Sequence, residues 1–68
     1  MDKAKLKSLM ALHGHTNRDI AELLDITEQS VSKKINENGS EFKQGEMAKI
    51  RNRYNLSPAE FDAIFFAN

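Results

Sequence analysis

The chain has 68 residues, no cysteine, and 10 Lys and Arg balanced by 10 Asp and Glu. That length supports one domain, residues 1–68, built on a single small core, and the lack of cysteine excludes a disulfide framework and the thiolate zinc modules. No apolar run approaches the ~20 residues of a membrane span or follows Met1-Asp2-Lys3-Ala4-Lys5 as a signal peptide would, so no membrane partner and a cytoplasmic location are expected, and the zero net charge means that any field for a polyanion must be a local patch.

No segment alternates apolar and polar residues with β-branched enrichment, so the expected fold is all-α. Asp2 can cap a first helix whose Leu6, Leu9, Met10 and His13 fall on one stripe, and Gly14 supplies a left-handed stop. Thr16 is a good N-cap for a second helix, Asn17 to Leu24, with Ile20, Ala21, Leu23 and Leu24 inward and Asp19 near the positive end of the helix dipole. Asp25-Ile26 makes the next turn. Thr27 then caps a third helix, Glu28 to about Glu37, with Ile26 and Val31 placed as a hydrophobic staple.

The run Asn36-Glu37-Asn38-Gly39-Ser40 reads as a loop. After Phe42 a fourth helix is expected from about Gln44 to Tyr54, facing inward through Met47, Ile50 and Tyr54. Ser57-Pro58-Ala59-Glu60 combines an N-cap, Pro at the first helical position and Glu at the third, with Leu56 and Phe61 able to close a staple. The fifth helix should run from Pro58 to about Phe66.

Residues 17–36 meet the physical needs of a helix-turn-helix. Ala21 lies where the second and third helices approach, and its small side chain permits a close crossing that Leu would obstruct. Ile26 plugs the turn. Val31 and Ile35 bury the inner side of the third helix, leaving Glu28, Gln29, Ser30, Ser32 and Lys33 on or near its outer side.

The pattern Ile20-Ala21-x-x-Leu24-x-Ile26-Thr27-x-x-x-Val31-Ser32-x-x-Ile35-Asn36 resembles the Cro and lambda-repressor-like helix-turn-helix proteins of phages and prophages. Phe42, Met47-x-x-Ile50 and the ending Asn55-Leu56-Ser57-Pro58-x-Glu60-x-x-x-Ile64-Phe65-Phe66 look like the rest of that compact five-helix domain. Asp25 departs from the pattern, which often has Gly there, but Asp tolerates the left-handed conformation better than most residues.

The resemblance implies a transcriptional regulator, a repressor of Cro type, that binds a double-stranded DNA operator. It places Glu28, Gln29 and Lys33 in the major groove and Ser30 close to base edges or phosphate. The chemistry is suitable: Gln pairs with adenine, Lys donates to guanine O6 and N7, and Glu accepts from cytosine N4. Asn17 would meet a phosphate with its side chain and the free N–H groups of its helix, and Arg18, Lys34, Asn38 and Lys43 are the other phosphate candidates. Arg18, Lys33, Lys34 and Lys43 are expected on one face.

Other features have simpler explanations. His13-x-His15 has no cysteine or convergent carboxylate to make a metal site. Ser57 is explained as an N-cap, and Arg51 and Arg53 as exposed partners of Glu46 or Glu60. No acid and base group into a catalytic pair, so neither an enzyme nor a cofactor is expected. Phe61, Ile64, Phe65 and Phe66 crowd one short helix: Phe61, Ile64 and Phe65 either complete the core with Phe66 at its edge, or Phe65 and Phe66 form a homodimer seam. A two-fold pair would set recognition helices about 34 Å apart and make the operator an inverted repeat. The second functional reading on the same fold is an antirepressor or modulator that contacts a partner repressor through Phe65 and Phe66.

Overall fold

A computed structural model describes residues 1–67, and among them there are five helices and no strand. They are α1 (Lys3–Leu12), α2 (Asn17–Leu24), α3 (Glu28–Ile35), α4 (Gln44–Tyr54) and α5 (Pro58–Phe65). None is long and apolar enough to cross a membrane.

Helix starts follow their caps. Asp2 accepts from the Lys5 N–H at 3.1 Å, Thr27 from the Ser30 N–H at 3.1 Å and Ser57 from the Glu60 N–H at 3.1 Å. At α2 the reaching-back half of the box is made: the Asp19 carboxylate accepts from the Thr16 N–H at 2.8 Å and from its hydroxyl at 3.2 Å. Each of these bonds from a backbone N–H satisfies a donor that the helix start leaves without an internal partner.

Four of the helices share one way of ending. A left-handed residue, Gly14, Asp25, Glu37 or Asn55, with φ of 68°, 57°, 53° and 52°, turns the chain out of α1, α2, α3 and α4. The following N–H then reaches back five residues to a helix carbonyl: His15 to Met10 at 2.8 Å, Ile26 to Ala21 at 3.0 Å, Asn38 to Lys33 at 2.9 Å and Leu56 to Arg51 at 3.0 Å. This is the Schellman pairing, which satisfies carbonyls that the helix end would leave bare. It also shortens α3 relative to the sequence expectation, because Glu37 cannot be both left-handed and helical. The helix stops at Ile35.

Asp25 occupies the conformation that glycine adopts at least cost, and its side chain is exposed. Asp25→Gly is therefore expected to stabilise the fold slightly, by under about 1 kcal/mol, the relief of left-handed strain outweighing the greater freedom of an unfolded glycine. A chemical-denaturation midpoint higher than wild type, with an unchanged m-value, is the expected result.

The core is drawn from every helix: Leu6 and Met10, Ile20, Ala21 and Leu24, Val31 and Ile35, Ile50 and Tyr54, Ile64 and Phe65, with Phe42 and Leu56 from the connections. Val31 and Ile50 are wholly buried, at 0% exposure. α2 packs on both α3 and α4, while α1 packs on α5. The Asp2 N–H donates to the Ile64 carbonyl at 2.7 Å, fastening the start of α1 to the end of α5.

Some expected inward residues lie elsewhere. Leu9, Leu23, Ile26, Met47 and Phe61 are half-buried at the rim of the core, and His13 is exposed. Phe65 corrects the seam reading: it belongs to the core, 8% exposed, with its ring edge-to-face with Phe42 at 6.0 Å. Phe66 caps α5 and stands 60% exposed. Neither arginine of α4 pairs as expected. The Arg51 guanidinium lies over the Phe61 ring at 5.6 Å, and Arg53 donates to His15 Nε2 at 3.3 Å.

Candidate nucleic-acid interface

The candidate surface is built by α2 and α3, which are separated by only three residues, Asp25 to Thr27. Because Val31 and Ile35 are held in the core, the opposite side of α3 faces outward with Gln29 and Lys33 exposed along it, and Glu28 is exposed at the first position of the helix. Ser30 and Ser32 are half-buried at its margins. The Ser30 Oγ accepts from the Thr27 hydroxyl at 3.0 Å, which leaves its own hydroxyl proton free to donate.

A shallow depression joins the two helix starts, with Thr16, Asn17 and Arg18 on one wall and Glu28, Gln29 and Ser32 on the other. The free N–H groups of the first turn of α2 thus open beside the first turn of α3. A phosphate at the start of α2 would be met by those donors and by Asn17, with base-directed side chains of α3 next to it. Arg18 is exposed, and its Nε lies 3.8 Å from the exposed Glu22 carboxylate, a weak pair that an anion can outbid. The Asp19 carboxyl is held below its ordinary range, chiefly by the bond from the Thr16 backbone, so the start of α2 keeps an ionised cap that a phosphate must approach from the Asn17–Arg18 side.

Lys34 is not part of this surface. It is 7% exposed, and its Nζ donates to Glu46 Oε1 at 3.0 Å and to the Glu41 carbonyl at 3.2 Å. Both bonds are directed into the molecule, so its assignment to phosphate is withdrawn. The exposed cations that remain as phosphate candidates are Arg18, Lys33 and Lys43, with exposed Asn38 and half-buried Asn17 as neutral donors. A sequence signal for Lys34 existed, since Val31, Lys34 and Ile35 are spaced i, i+3, i+4, which is the inward stripe of α3.

Glu46 has the counterpart environment. Burial pushes its carboxyl up, but the Lys43 N–H at 2.8 Å and the Lys34 ammonium outweigh that and hold it below the ordinary range. The Glu60 carboxyl is also lowered, by bonds from Ser57 at the start of α5, far along the chain from the α2–α3 surface.

A second polar cluster was not anticipated. His15 Nδ1 and the Tyr54 hydroxyl are 2.7 Å apart, and the His13 ring lies 4.8 Å from that of Tyr54. As His15 Nε2 accepts from Arg53, a neutral ring carries its proton on Nδ1 and donates to Tyr54. The Tyr54 hydroxyl is shifted upward by burial. The cluster ties the residue before the Thr16 cap to the end of α4, fixing where α2 begins.

No family model, curated protein or solved structure matches this chain.

Proposed function

We propose that the chain is a sequence-specific double-stranded DNA-binding protein, a helix-turn-helix regulator of the Cro and lambda-repressor type, with α3 as the recognition helix. The observation that carries this reading is the pairing of α2 and α3 across a three-residue turn, which leaves Gln29 and Lys33 on the outer side of α3 and sets Glu28 and Gln29 beside the opening of α2 at Asn17 and Arg18. An eight-residue helix with one face in the core, an amide and an ammonium on the other and an exposed acceptor at its start fits the major groove in size and in hydrogen-bonding repertoire. Asn17, Arg18, Asn38 and Lys43 supply phosphate contacts. With so few cations the affinity is modest, and specificity depends on base contacts more than on counterion release.

Selection from random duplex DNA at low salt tests the reading. The expected result is enrichment of a short site, and an inverted repeat within it would report a two-fold pair in which the exposed Phe66 is a candidate contact. Failure to enrich any sequence at about 50 mM salt, where phosphate contacts are strongest, would overturn it. The exposed Phe66 and the zero net charge favour one alternative, a modulator that acts by contacting a repressor, which predicts that negative outcome.

A further inference from the structure

Lys34 presents an unusual expense. An ammonium at 7% exposure loses most of its hydration, and an apolar side chain of similar length would fill the same space without that cost. What the ammonium provides, and methionine would not, is direction. Its Nζ fixes the Glu41 carbonyl at 3.2 Å and Glu46 Oε1 at 3.0 Å, and that same carboxylate oxygen accepts the Lys43 N–H at 2.8 Å. Phe42, between the two tied residues, is buried against Phe65. Residues 41–43 are thus clamped to the last turn of α3 on one side and the first turn of α4 on the other, through one ion pair.

We infer that Lys34 is a positioning residue for nucleic-acid binding: with Glu46 it sets the backbone of Lys43 relative to α3, so that the exposed Lys43 ammonium meets a phosphate while α3 occupies the groove. This rests on the DNA-binding reading above. Lys34 itself touches no phosphate and acts through Lys43. A loose 41–43 segment would let the Lys43 side chain wander, and its contact would then be lost to the entropy of ordering it.

The test compares wild type with Lys34→Met, Lys43→Met and the double variant on the selected DNA site, by fluorescence anisotropy across a salt series, with circular dichroism checking the fold. Lys34→Met should lower the slope of log affinity against log salt by about 0.9, one phosphate contact, as Lys43→Met does. The double variant should lose no more than either single one, and preference for the selected site over a scrambled one should be unchanged. A salt slope unaltered in Lys34→Met, or losses that add in the double variant, would overturn the inference. If Lys34→Met does not fold, Glu46→Gln replaces it, since the amide keeps an acceptor for the Lys43 N–H while giving up the charge that holds Lys34.

Amide hydrogen exchange on the free protein supplies an arm independent of DNA. The Lys43 N–H should exchange faster in the variant while the α2 amides keep their protection, and equal rates at Lys43 would refute the clamp. If wild type selects no DNA, the regulator reading fails and with it the task given to Lys43, while exchange still decides whether Lys34 orders the segment.

Discussion

Ala21→Leu should destabilise the protein by about 1–3 kcal/mol, the usual cost of forcing extra methylenes into a filled core. Ala21 is 5% exposed, in the core with Ile20 and Leu24 of the same helix, and its carbonyl accepts the Ile26 N–H that closes the turn at 3.0 Å. A larger side chain cannot swing outward from this position without tilting α2, and a tilt pulls on that bond and on the left-handed Asp25. Domains of this size have roughly 3–10 kcal/mol to lose, so the change is a large share of the whole and shifts Tm by about 4–8 °C for each kcal/mol. Thermal unfolding followed by circular dichroism measures it. Glu22→Leu is the control: position 22 is exposed, and its weak pairing with Arg18 is worth little, so the same side chain one residue along should leave Tm nearly unchanged. Equal melting of Ala21→Leu and wild type would mean that α2 and α3 do not approach closely at residue 21.

Much of this fold was legible because helix starts are written locally. Asp2, Thr16, Thr27 and Ser57 each act within three residues, and every start they predict coincides with the structure. Ends are written less locally. Gly14 announces itself, but Glu37 and Asn55 are left-handed because the five-residue return bond and the packing beyond it favour the turn, which side-chain identity alone does not reveal. The outer row of α3 followed from its inner one. Lys34 did not, for two reasons: adjacent lysines suggest a common solvated face although neighbours on a helix point about 100° apart, and the carboxylate that compensates its burial lies twelve residues away. Arg51, stacked over Phe61, and Arg53, bonded to His15, were likewise missed because each partner is brought near by tertiary packing and not by helical spacing.

The base-directed role of α3 predicts distinct consequences for its two central side chains. Gln29→Ala and Lys33→Ala should each weaken binding to the selected site by about 1–3 kcal/mol, roughly 5- to 150-fold, while helicity and Tm stay close to wild type because both positions are exposed. Residues 29 and 33 are one helical turn apart on one face, about 6 Å along the axis, and base pairs are stacked about 3.4 Å apart, so the two contacts fall within neighbouring pairs of one half-site. Loss of Gln29 should relax preference at a single A·T position, because its amide pairs bidentately with adenine, and leave the salt slope as it was. Lys33 discriminates between two placements. On guanine O6 and N7 its removal relaxes one G·C position at constant salt slope, whereas on a phosphate it lowers affinity for all sequences alike and reduces the slope by about 0.9. Glu28 then becomes informative: close to the backbone its carboxylate repels phosphate, and Glu28→Gln should tighten binding to every duplex, while an acceptor bond from cytosine N4 would make the same change weaken the selected site alone. Repeating the selection with each variant reads all three outcomes, and a chain whose Gln29→Ala and Lys33→Ala forms select the same site with undiminished affinity would not be using this face of α3.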